Sequence, residues 1–224
     1  MLSGSYLDFR GALALAIVAA SSSVGSASAE TYVNAPQPSV TAPAIGKTET
    51  AIFAGGCFWG VEGVFSHVKG VVQATSGYAG GSAGSAHYTT VSTGTTGHAE
   101  AVRVIFDPAK VSYADLLRVY FSVVADPTTL NAQGPDRGSQ YRTALFPQSA
   151  GQARVARAYI KQLTAARTFS RPIVTRIEQA TPFYTAEGYH QAFMAKNPNY
   201  PYIVVNDAPK VDALRRIFPR FYRS

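Results

Sequence analysis

Between Thr50 and Phe65 the chain reads TAIFAGGCFWGVEGVF, and its hydrophobic period changes in the middle of that stretch. Thr50–Ala54 is a short apolar run that meets Gly55-Gly56, the pattern of a strand ending in a tight turn. From Cys57 onward Phe58, Val61, Phe65 and Val68 recur at helical spacing until Lys69-Gly70 stops them. A strand therefore hands over to a helix at Cys57. This is the only cysteine of the chain, and Trp59 beside it is the only tryptophan.

The rest of the sequence alternates in the same way. VVQATSGYAGG reads as a strand running into a Gly-rich loop that carries Tyr88, and HAEAVRVIFDP as a strand closed by Asp107-Pro108. SYADLLRVYFSVV is an amphipathic helix capped by Ser112, followed by the long loop ADPTTLNAQGPDRGS. Loops of that length in a compact domain are usually functional. QYRTALF and PIVTRIEQ read as strands. SAGQARVARAYIKQLTAAR, TAEGYHQAFMAK and APKVDALRRIFPRFY read as helices. The predicted fold is α+β, one domain with a mixed β-sheet core flanked by helices.

Composition limits what such a domain can do. At 46% hydrophobic and 15% charged, the 224 residues can build a packed core. A net charge of +7 clusters late, and with no nucleic-acid motif beside it the reading is a solvated helix face. Arg10, the apolar run GALALAIVAA and the small-residue stretch ending Ala-Ser-Ala read as a signal peptide over 1–29, cleaved after Ala29. The expected location is the bacterial periplasm, with no stable membrane insertion after cleavage. Residues 30–48, Pro- and Ala-rich, read as a flexible tether, and 49–224 as the domain.

A single cysteine excludes an internal disulfide and raises the question of a reactive thiol. At a helix start the sulfur meets unpaired N–H groups and the positive end of the dipole, which favour thiolate. Against this stands the common fate of a free cysteine, which is inert burial. Phe58 shares the helix stripe with Val61 and Phe65, and Trp59 lies about 100° around. The pair reads either as two core aromatics or as an apolar cup for a methyl group. Glu62 falls on the same apolar stripe, where a carboxylate needs hydrogen-bonded partners. Glu100 alternates with Val102, Val104 and Phe106. If that face is inward, desolvation keeps Glu100 protonated and makes it a proton donor; otherwise it is an exposed strand-end acid. His67, His87, His98 and His190 show no metal-ligand spacing with Cys57 or with one another.

Four segments, GGCFWGVE, TGHAEAVRVIFDP, GPDRGSQYRTALF and KNPNYPYIVVN, together resemble peptide methionine sulfoxide reductases of the A type. The resemblance spans roughly Thr50 to Phe218. It implies a mixed-sheet α+β domain of ferredoxin-like type that reduces the S epimer of methionine sulfoxide, free or in proteins. It implies Cys57 as nucleophile, Glu100 as proton donor to the sulfoxide oxygen, Phe58 and Trp59 around the S-methyl group, and Tyr88, Asp136 and Tyr141 around the oxygen. No cofactor and no metal is implied, and the protein is expected to be a monomer.

The chain departs from the family pattern in three places. Pro135 precedes Asp136 where asparagine is usual, and Ala125 stands in the His-Asp-Pro position. No cysteine follows Cys57, so an external thiol must resolve the sulfenic acid: a thioredoxin-like protein, glutaredoxin, glutathione or dithiothreitol. Two other classes fit the bare residues. One is a thiol peroxidase using Cys57, the other a non-catalytic binder of methionine peptides using the aromatic cup.

Overall fold

The computed structural model describes Met1 and residues 32–224. The signal-peptide expectation therefore lies outside the described residues, apart from Met1. Six strands form one mixed sheet: β1 (Glu49–Ala54), β2 (Val71–Ala79), β3 (Ala99–Phe106), β6 (Ala144–Phe146), β7 (Arg176–Ile177) and β8 (Phe183–Thr185), in the order β7-β6-β1-β3-β2-β8. All neighbours are antiparallel except β6 and β7. A two-residue pair, β4 (Ala132–Gln133) with β5 (Asp136–Arg137), stiffens the long loop.

The handover at Cys57 leads into α1 (Phe58–Ser66), which crosses from β1 to β2. β3 then inserts between those strands, a split β-α-β unit. With α3 (Tyr113–Val119) leading on to β6, the central order β6-β1-β3-β2 is the ferredoxin-like arrangement the sequence suggested. Ser112 caps α3 through a reciprocal capping box with Asp115. One sheet face packs on the helices, with Phe53 stacked against Phe65, Tyr113 and Tyr120 at centroid distances of 4.8, 6.0 and 5.6 Å. The other face is thinner, built of Ile52, Ala54, Ala79, Ala99, Ala101, Ala144 and Phe146.

Several local expectations need correction. The proposed tether does not lead away from the domain. Residues 32–42 lie against α3 and α4 (Ala150–Ala165). Ala35 is fully buried, its N–H donating to Ser122 Oγ at 3.2 Å, and its carbonyl accepts from Arg118 Nε at 2.8 Å. The Tyr159 hydroxyl donates to the Pro36 carbonyl at 2.7 Å. Proline and alanine without periodicity read as a linker, yet several backbone groups of the segment have long-range partners. The strand expected over QYRTALF is only Ala144–Phe146, preceded by a 3-10 turn at Ser139–Tyr141. PIVTRIEQ keeps two strand residues at the sheet edge.

The helix expected over TAEGYHQAFMAK is broken. A 3-10 turn at Gly188–His190 and the single-turn α5 (Phe193–Lys196) are separated by Ala192, which has φ 52°. The Ala192 N–H donates to the Glu62 carboxylate at 3.0 and 3.2 Å, a contact that binds this point of the chain to α1. A short helix, α2 (Tyr88–Val91), and strand β8 had no clear sequence signal. The last helix, α6 (Ala208–Ile217), stops before Pro219 as the sequence indicated.

Candidate active site

The two glycines before Cys57 perform separate tasks. Gly56 takes φ 90°, and a Cβ there would stand 2.6 Å from Gln133 Cβ. Gly55 lets the Tyr120 ring close over the turn, where the Tyr120 hydroxyl donates to the Ala54 carbonyl at 2.7 Å. Gln133 holds the long loop in place: its amide donates to the Asp126 carbonyl and to Thr129 Oγ1, each at 2.7 Å, and its carbonyl accepts the Asp126 N–H. The loop that carries Asp136 is thus buttoned onto the turn that carries Cys57.

Cys57 caps α1 and is half-buried. Glu100, only 2% exposed, lies below the first turn and accepts the Phe58 N–H at 3.0 Å. It faces inward with Val102 and Val104, the first of the two readings that alternation left open. Burial pushes its carboxyl up from 4.5 to about 8, against the Phe58 hydrogen bond and with help from Asp136 and Asp207. At neutral pH it is a carboxylic acid.

The expectation of a resting thiolate is overturned. Burial raises the Cys57 thiol well above its ordinary value, and Glu100 and Asp207 push in the same direction. Only the Trp59 N–H opposes them. The helix start supplies one hydrogen bond, and that is less than the cost of desolvation beside acids.

Three aromatic hydroxyls surround these groups. Burial, then Glu100, raises the Tyr88 and Tyr141 phenols, and Asp136 and Cys57 lie close enough to Tyr141 to add to the effect. The third, Tyr202, was not singled out from the sequence. Its hydroxyl donates to Asp136 Oδ2. Burial raises Asp136, while Tyr202, Lys210 and Arg137 draw it back. Arg142 anchors the segment behind Tyr141, through a two-point ion pair with Glu178 at 2.7 and 3.0 Å and a bond to the Ser139 carbonyl.

Phe58 is buried beside Tyr78 and His190, at centroid distances of 5.9 and 4.9 Å. Trp59 stacks on Phe193 at 3.8 Å and meets Tyr202 and Tyr200 edge-on. The indole N–H can only donate, so His190 Nδ1 accepts it at 3.1 Å and the imidazole proton sits on Nε2. Burial lowers His190, consistent with a neutral ring. Glu62 has the structural partners its position demanded, Ser76 Oγ at 2.7 Å and the Ala192 N–H.

Asp207 and Lys210 are further residues that the sequence did not mark. They are 0% and 3% exposed, with 4.0 Å between Nζ and Oδ1. A Cβ at Gly60 would overlap the Asp207 carboxylate, so glycine is required in the first turn of α1. An aspartate just before an Ala-Pro helix start is ordinarily an exposed cap, so its local sequence carries no sign of burial.

Cys57, Glu100, Tyr88, Asp136 and Tyr141 are thus gathered from four separate stretches, Asp136 and Tyr141 sharing one, with Phe58 and Trp59 beside them. Among the described residues no group of three or more His, Cys, Asp or Glu could hold a metal ion. The family model for peptide methionine sulfoxide reductase matches residues 49–220.

The chain belongs to the peptide methionine sulfoxide reductase family.

A curated relative from Mesorhizobium japonicum, named peptide methionine sulfoxide reductase MsrA 2, is 58% identical over 78% of this chain and 90% of its own. One from Deinococcus radiodurans is 51% identical over 76% and 82%. The structure of Mxr1 from Saccharomyces cerevisiae in reduced form aligns with TM-score 0.62 and 31% identity over 72% of this chain and 92% of that one. The protein is an oxidoreductase that acts on methionine sulfoxide.

Proposed function

We propose that this reductase takes the S epimer of methionine sulfoxide, free or in oxidised proteins, and that Cys57 and Glu100 carry the chemistry. The observation that carries the reading is a thiol at the first turn of α1 above a carboxyl that keeps its proton to about pH 8. The Cys57 sulfur attacks the sulfoxide sulfur, and the S–O bond breaks as Glu100 protonates the oxygen. The released hydroxyl then adds to the Cys57 sulfur and breaks its new bond to the substrate sulfur, so Cys57 is oxidised to a sulfenic acid and the substrate leaves as the thioether. The thiol proton balances the one lent by Glu100. Tyr88 and Tyr141, held as neutral phenols, are donors to the oxygen as it gains charge. Asp136 fixes Tyr202 at the rim of the site. Phe58 and Trp59 provide the apolar seat for the S-methyl group.

With one cysteine in the chain, reset needs an outside thiol. A first thiol condenses with the sulfenic acid and releases water; a second frees Cys57 and leaves the reductant as a disulfide. A thioredoxin-like protein, glutaredoxin, glutathione or dithiothreitol would serve. The export reading of residues 1–29 puts this reductant in the periplasm, and N-terminal sequencing of exported material tests it, an uncleaved leader counting against it.

The test of the activity omits reductant. The protein is incubated separately with the S and R epimers, and methionine release and the mass of Cys57 are followed. About one equivalent from the S epimer alone, with one oxygen gained at Cys57, is the expected result. No release from the S epimer overturns the proposal.

A further inference from the structure

Beyond its first residue the chain contains a single methionine, Met194. The fold sets it next to Phe193, the residue stacked on the sole tryptophan, Trp59. Met194 packs across Gly63, where a Cβ would stand 2.6 Å from Sδ. The side chain is half-buried and lines a cavity of about 430 Å³ that follows α1 from Trp59 past Gly63 to Ser66, with Val211 of α6 on the far wall. A thioether open to a cavity is a soft nucleophile within reach of oxidants.

α5, which carries Met194, is a weakly held element. It is one turn long and is entered through Ala192 at φ 52°, ψ 35°, a conformation that residues with a Cβ adopt at a cost. It rests on α1 through the Phe193–Trp59 stack, the Met194–Gly63 contact and the Ala192 N–H on Glu62.

We propose that Met194 is a reversible oxidation site of this enzyme, and that a sulfoxide there loosens α5 and displaces Trp59. In the forward step Met194 Sδ takes one oxygen from a peroxide, which is reduced to water while the sulfide becomes a sulfoxide. The new oxygen has no room toward Gly63, and the S–O dipole is poorly solvated against an apolar wall. α5 shifts to bring it to water, and Phe193 leaves the indole face. The product is the group this family reduces, so a second molecule restores it. That return step rests on the activity proposed above.

The experiment uses Cys57→Ser, so that no thiol competes for oxygen. Hydrogen peroxide is added, Met194 is followed by peptide mass and Trp59 by fluorescence. The expected result is one oxygen on Met194, with emission moving to longer wavelength in step. Met194→Leu, a volume-conserving change, should gain no oxygen and show no shift. Catalytic wild-type enzyme with dithiothreitol should then reverse about half of both signals, since peroxide makes both sulfoxide epimers and one is repaired. An unmoved Trp59 with Met194 fully oxidised overturns the coupling. Met194 staying reduced where free methionine is consumed overturns the site. Failure to reverse by enzyme that still reduces free methionine S-sulfoxide overturns the self-repair step and leaves the activity standing; failure on both overturns the two together.

Discussion

Glu100→Gln lowers single-turnover release of methionine by about 10²–10⁴-fold, the range for losing a general acid, and at the same time makes the fold more stable. The glutamine carbonyl can still accept the Phe58 N–H, so the two effects separate the proton from the geometry. Burial raises the Glu100 carboxyl from 4.5 to about 8. Between those values the folded chain holds a proton that the unfolded chain releases, so stability is fully present below pH 4.5 and declines as pH climbs toward 8. At pH 7 this costs roughly 3 kcal/mol, which the amide does not incur. The wild-type rate should fall as pH passes about 8 and Glu100 ionises, and the variant should lack that fall. Single-turnover rates across pH, with urea unfolding of both proteins, check both halves. A variant with wild-type rate, or one that keeps the alkaline fall, would assign the proton to another group.

Lys210→Met destabilises the protein by about 3–5 kcal/mol, because it leaves Asp207 in the interior without its cation. That corresponds to a drop in melting temperature on the order of 10 °C. The positive charge also draws Asp136 down, so its loss raises Asp136 as well. Adding Asp207→Asn to the same protein should recover much of the loss, since the pair is removed together rather than broken. Thermal unfolding of the single and double variants measures this. A loss below about 1 kcal/mol in the single variant would mean that the pair behaves like a surface contact.

These two results concern features with very different visibility in the sequence. The face of Glu100 was legible because strand alternation is local: it is shared with Val102, Val104 and Phe106, and the fold then turned that face inward. The strand-to-helix handover at Gly55-Gly56 was legible for the same reason, and so was the Ser112 cap. Asp207 was not legible, since its burial depends on a glycine in α1 that is far from it in sequence. Residues 32–42 were misread as a tether because the groups that hold them, Arg118 of α3, Ser122 just after it and the Tyr159 hydroxyl of α4, are far away in sequence. The break at Ala192 was missed because its N–H answers to Glu62, across the fold.

The sequence by itself determined the single cysteine, its seat at the start of α1 and the shared face of Glu100 with Val102 and Val104. Only the tertiary structure decided the protonation of the site. The helix start argued for a thiolate at Cys57, and the assembled site holds a thiol instead. Hydrophobic period and backbone turn act over a few residues, so they are written in local order. Desolvation and charge act through space, and they take their values only when β3, the loop around Asp136 and the start of α6 have closed around the same sulfur.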